Sequence, residues 1–130
     1  INRNYGGELN NKDSLDLLTM RAGNALERGD TEDAMEILDE VVLKDPFNGQ
    51  ALLTLARFHL GESGLVEALT YFERAEKVES AKLEALLGSA RVLVRQKKYR
   101  DAVNRLREAQ VVSEQAYIAQ YIDSLERFIR

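Results

Sequence analysis

The chain has 130 residues, 45% hydrophobic and 31% charged, with a formal net charge of −4; that is enough for one domain or a short repeat array with a buried core. It contains no Cys and no Trp, which excludes a disulfide scaffold, a thiolate zinc site and a cysteine nucleophile. No apolar run approaches the roughly 20 residues that span a bilayer, and the acidic balance argues against a general nucleic-acid binder.

Residues 1–12 are polar, carry Gly6 and Gly7 and show no helical period, so they read as a flexible or extended lead-in. The start at Ile1 rather than Met leads us to expect a piece of a longer parent or a processed form. Asp13 or Ser14 can cap a first helix, in which Leu15, Leu18, Ala22, Ala25 and Leu26 recur at helical spacing. Gly29 and Asp30 stop it. Thr31, Glu32 and Asp33 open the next, with acids in the first turn where the helix dipole favours them, and Ala34, Ile37, Leu38, Val41 and Val42 form its stripe. Asp45-Pro46 ends that helix, because the residue before Pro is pushed out of helical geometry.

The cycle then recurs. Helices are expected over 49–61, 65–78, 82–96 and 99–112, with Gly61 and Gly64 bracketing one turn and Lys97-Lys98 making another. Ser113 can cap a seventh helix, whose apolar residues are Tyr117, Ile118, Tyr121, Ile122, Leu125, Phe128 and Ile129. Underneath lies a fixed beat. Ala34, Ala68 and Ala102 are 34 residues apart, as are Ala22, Ala56 and Ala90, and Val41, Ala75 and Ala109. Small residues at matching heights let helices cross closely, and a period in this range is the mark of stacked repeats.

The repeated phrase resembles the tetratricopeptide repeat. Its first half is matched by Leu18, Arg21, Ala22 and Ala25, then by Leu52, Leu55, Ala56 and His59, then by Leu86, Ser89, Ala90 and Leu93. Its second half is matched by Ala34 and Leu38, Ala68 and Phe72, and Ala102 and Leu106. The closing Pro stands once, as Pro46; Ser80 and Glu114 replace it later. Departures are the missing Trp, Ala in place of Gly, and Arg21 and Ser89 at apolar slots. The resemblance implies an all-α fold, a right-handed superhelical stack of three helix-turn-helix hairpins over 15–48, 49–82 and 83–116. A capping helix over 117–130 completes a domain spanning 13–130.

The resemblance further implies that the first helix of each hairpin lines a concave groove for an extended or helical peptide. Phase assigns its slots to Thr19, Gly23, Leu26 and Glu27, to Leu53, Arg57, Leu60 and Gly61, and to Leu87, Arg91, Val94 and Arg95. Arg57 and Arg91 are equivalent in adjacent repeats and are expected side by side. A basic patch on an apolar floor suits an acidic or C-terminal segment, since Arg grips carboxylates in a bidentate manner; the plainer alternative is that these arginines pair with Glu84. The chaperone-tail clamp of some members needs Lys and Asn at slots held here by Thr19, Gly23, Thr54, Glu84 and Gly88, so that ligand is not expected. Gly23 and Gly88, inside helices, admit either close ligand approach or simple tolerance. Charge is polarised along the array, with net −6 over 15–48, −1 over 49–82 and +3 over 83–116.

No catalytic constellation is legible: there is no Walker loop, no G-x-G-x-x-G and no H-E-x-x-H. The single His59 occupies a slot for a buried aromatic and reads as packed. The run Asp30, Glu32, Asp33, Glu36, Asp39 and Glu40 follows helical turns rather than calcium-loop spacing and reads as a solvated face. The expectation is a non-enzymatic interaction module without cofactor or metal, whose partner is a protein or peptide, acidic among the options. The rival readings are a substrate-positioning or scaffold segment of a larger enzyme or secretion/assembly protein, and a structural dimeriser through Tyr117–Arg130. A soluble chain is expected, with bacterial cytosol and periplasm both compatible.

Overall fold

The computed structural model of the chain describes residues 11–129. Most of the expected lead-in, and Arg130 at the end of the capping helix, therefore lie outside the described residues. Among the described residues seven α-helices follow in order: α1 (Asn11–Glu27), α2 (Thr31–Lys44), α3 (Gly49–Gly61), α4 (Leu65–Ala75), α5 (Lys82–Arg95), α6 (Tyr99–Val112) and α7 (Ala116–Ile129). A 3-10 turn, Glu79–Ala81, joins α4 to α5. The described residues contain no strand. Asn11 is already helical, so Asp13 and Ser14 lie within α1 instead of capping it. Helix α4 ends three residues before the expected 78, because Val78 turns extended to lead into the 3-10 turn.

Helices α1 and α2, α3 and α4, and α5 and α6 pair as hairpins, and each hairpin packs on the next. Three apolar clusters form one continuous core, and each is closed by the hairpin that follows. Ala22, Ala34, Leu38 and Val41 are covered by Ala51 and Leu55 of α3. Leu52, Ala56, Ala68, Phe72 and Ala75 are covered by Ala85 and Val92 of α5. Leu86, Ala90, Ala102, Leu106 and Ala109 are covered by Ile118, Ile122 and Leu125 of α7. All nine residues of the three 34-spaced triads are buried, so small side chains mark the helix crossings as their spacing predicts.

The turns inside the hairpins share one backbone design. Gly29, Ser63 and Lys97, also 34 apart, take left-handed φ values of 86°, 63° and 64°. In each turn the following amide bonds back to the helix at 2.8 Å, as Asp30 to Ala25, Gly64 to His59 and Lys98 to Leu93. The left-handed residue of the second turn is thus Ser63, while Gly64 has φ −84°. Only the first turn uses the residue that adopts this geometry without steric cost. Lys97→Gly is therefore expected to stabilise the domain by about 1 kcal/mol in urea unfolding.

Caps between hairpins differ. Asn48 is buried and its side chain accepts the Ala51 amide at 3.0 Å, starting α3. Ser113, expected to start α7, instead closes α6: its amide donates to the Ala109 carbonyl at 2.9 Å, and α7 begins at Ala116. Helix α7 is also one residue out of step with the repeat. The slots that bury Ala85, Ser89 and Val92 in α5 fall, 34 residues on, at Ala119, Asp123 and Glu126. Helix α7 buries Ile118, Ile122 and Leu125 instead, because only these can fill the space against α6. Ala119, Gln120, Asp123, Ser124 and Arg127 remain exposed, a face suited to water.

Candidate functional site

The first helices of the three hairpins lie side by side, α1 against α3 and α3 against α5. Between α1 and α3 runs a cleft of about 490 Å³, lined by Gly23, Leu26 and Glu27, by Thr31 at the start of α2, and by Thr54, Arg57, Phe58, Gly61 and Glu62. Five of these residues (Gly23, Leu26, Glu27, Arg57 and Gly61) are slots assigned by phase, so the structure brings five of the eight slots of the first two repeats to one surface. Thr54, Phe58, Thr31 and Glu62 were not assigned. Thr54 and Phe58 sit one residue beyond assigned slots on α3, where the helix turns toward α1.

Two of the assigned residues underlie the groove instead of lining it. Thr19 and Leu53 are 5% and 0% exposed. The Thr19 hydroxyl donates to its own Leu15 carbonyl at 2.9 Å, and Leu53 joins the second core cluster. Leu60, Leu87 and Val94 are half-buried and pack on the cores, leaving part of each side chain accessible.

The two interior glycines have opposite explanations. A Cβ on Gly88 would fall 2.2–2.6 Å from the Phe72 ring, so Gly88 is there to let α5 settle on α4. It is buried and offers nothing to a ligand. A Cβ on Gly23 would meet nothing within 4 Å, and the same holds for Gly61. A glycine inside a helix costs up to about 1 kcal/mol relative to Ala. At Gly23 no packing contact requires that cost, and its open side faces the cleft.

The arginines do not converge on one point. Arg57 reaches across to Glu84 on α5 and forms an ion pair there, with side chains 52% and 57% exposed. Glu84 lies two turns before Arg91, roughly 10 Å along the helix axis. Arg95 reaches back to α3, its guanidinium donating to the Leu60 carbonyl at 3.4 Å. Arg91 acts on Tyr121 of α7: burial pushes the Tyr121 phenol above its ordinary pKa, and the Arg91 charge opposes the shift. The three cations thus form a ladder from α3 across α5, each with a different neighbour.

His59 packs as read. Its ring is half-buried, stacked on Tyr71 with centroids 5.6 Å apart at 7°, and edge-on to Phe58 at 5.3 Å. The acidic run on the first hairpin is exposed, with Asp30 paired to Arg28 and Glu40 to Lys44. Among the described residues no group of three His, Asp or Glu side chains is placed to hold a metal ion.

The sequence profile of the tetratricopeptide repeat matches residues 19–84, about half of the chain. The chain belongs to the tetratricopeptide repeat family. Its fold is similar to the N-terminal domain of stress-induced protein-1 (STI-1) from C. elegans, with a TM-score of 0.81 over 91% of this chain and 99% of that one. The identity between the two is 17%, so the likeness is one of fold. No curated protein matches the sequence. As a tetratricopeptide repeat domain it carries a fold of protein–protein interaction. Its helices include none long and apolar enough to cross a membrane, among the described residues.

Proposed function

We propose that this tetratricopeptide repeat domain is a non-enzymatic interaction module that holds an acid-bearing segment of a protein partner along its first helices. The observation that carries the reading is the Arg57–Glu84 pair. Arg57 already receives a carboxylate on the face of the groove, and the pair is exposed. Exposed ion pairs contribute about 0–1 kcal/mol, so an incoming carboxylate displaces Glu84 at little cost. Arg91 and Arg95 continue the ladder one helix further on, above the partly accessible Leu87 and Val94. A ladder of separated cations suits an extended segment with spaced acids more than a single terminal carboxylate.

The test is affinity capture from the native proteome with the intact chain, compared with the Arg57→Glu, Arg91→Glu double variant. The captured partner is expected to lose at least tenfold in affinity, or about 1.4 kcal/mol, with the thermal midpoint unchanged. A partner retained in full by the double variant sinks the reading. Structural dimerisation through α7 is a second reading, supported by Tyr117 and Phe128, 53% and 66% exposed. A mass that rises with concentration in light scattering, and falls back on Tyr117→Lys, would favour it.

A further inference from the structure

We infer that the cleft between α1 and α3 is a pocket for one bulky apolar side chain of the bound segment, with basic or neutral residues on its α1 flank and acids on its α5 flank. The inference rests on the groove reading above. Four observations support it. The cleft, about 490 Å³, falls in the range of small-ligand sites, roughly 300–1,000 Å³. Its width comes from two glycines, Gly23 and Gly61, whose missing side chains would have met no protein atom within 4 Å. Leu26 and Phe58, both half-buried, supply apolar lining.

The charged lining supplies direction. Glu27 belongs to α1, and Glu62 caps the end of α3. Glu27 repels an acid laid on the α1 side, and Glu62 repels one at the end of the cleft. Arg57 borders the same cleft and leans onto α5, where Arg91 and Arg95 follow. A segment with its bulky residue in the cleft therefore meets Glu27 on one flank and, once its own acid displaces Glu84 from Arg57, three arginines on the other. The net charges of the repeats, −6, −1 and +3, run in the same sense.

The chain has no Trp, so a Trp-bearing probe reports on the pocket without background. The probe is the capped pentapeptide acetyl-Lys-Lys-Trp-Glu-Glu-amide, titrated with the full chain and followed by its indole emission and anisotropy. A saturable blue shift is expected. Gly23→Leu, whose Cβ meets no protein atom within 4 Å and whose longer side chain enters the cleft, is expected to weaken binding at least tenfold with an unchanged or higher thermal midpoint. Gly23→Ala is expected to stay within threefold, and acetyl-Lys-Lys-Gly-Glu-Glu-amide to compete at least tenfold more weakly than unlabelled probe. Full binding by Gly23→Leu, equal competition by the Gly peptide, or no saturation at millimolar probe each overturns the pocket. If Arg91→Glu abolishes binding while Gly23→Leu does not, the pocket falls and the groove reading stands. If neither variant matters, both fall.

Discussion

Gly88→Ala is expected to cost the domain about 2 kcal/mol, although alanine is the better helix former by about 1 kcal/mol. The added methyl would lie 2.2 Å from the Phe72 ring, closer than atoms can approach. Phe72 is 2% exposed and is boxed in by the second core cluster, so it cannot swing away. The helices α4 and α5 must part, and the loss falls on the larger of the helix contacts that join the second hairpin to the third. A fall of roughly 5–10 °C in the thermal midpoint is expected. Gly23→Ala is the internal control: the same change in the same kind of helix, but with no neighbour within 4 Å, should stabilise by up to about 1 kcal/mol. Opposite signs at the two glycines would confirm the packing argument, and equal signs would refute it. Adding Phe72→Leu to Gly88→Ala should recover part of the loss, a coupling that a double-mutant cycle reads directly.

Arg105→Met is expected to cost about 1–3 kcal/mol at neutral pH. Arg105 on α6 bonds Glu76 at 3.3 Å and Glu73 at 3.1 Å, tying the second helix of one hairpin to that of the next. Glu76 also accepts a hydrogen bond from the buried Ser89 hydroxyl at 2.5 Å. Ser89 therefore occupies an apolar slot of the repeat because it serves this carboxylate. Partial exposure of Arg105 and Glu76, 25% and 18%, holds the expected loss below that of a fully buried pair. Methionine keeps the apolar stem and removes the charge, which leaves two acids facing a core edge.

The pH dependence follows. Burial raises the Glu76 pKa, the Ser89 bond and the Arg105 charge pull it down, and Glu73 and Glu108 push it up, with a net rise. A carboxyl raised on folding binds more protons in the native state, so its contribution is full below the ordinary carboxylate range and is lost as pH rises through the raised value. Removing Arg105 removes one of the two downward pulls, and the loss with rising pH grows. The Arg105→Met deficit should therefore shrink as urea unfolding is moved from neutral pH into the mildly acid range. Glu76→Gln, which keeps an acceptor for Ser89, should restore at least half of it at neutral pH. A deficit independent of pH, unchanged by Glu76→Gln, would show that lost packing and not unpaired charge sets the cost.

The fold was legible because repetition lets weak signals reinforce each other. Ala22, Ala34 and Val41 say little alone, but with their counterparts 34 and 68 residues on they set the phase of three hairpins, and all nine are buried. The groove slots inherited that phase and were partly legible: Gly23, Leu26, Glu27, Arg57 and Gly61 share one cleft. Phase gives the direction in which a Cβ leaves its helix. It does not say how far a neighbouring helix covers it, so Thr19 and Leu53 were placed in the groove and lie beneath it.

What only the tertiary structure decided are the relations between side chains of different helices. The length of an arginine and the tilt of its helix sent Arg57 to Glu84, Arg95 to the Leu60 carbonyl and Arg91 towards Tyr121, a set no spacing rule contains. The phase itself broke at α7, where Ile118, Ile122 and Leu125 rotated inward because burying large aliphatic side chains outweighs keeping the register of the repeat. Gly23 and Gly88 look alike in the sequence; only the distance to Phe72 separates a glycine required by packing from one that opens onto a cleft. The periodic pattern by itself determined the hairpins and their order, since local spacing and burial agree at every repeat. Contacts between repeats determined the site, since they depend on long side chains whose endpoints the backbone period leaves free.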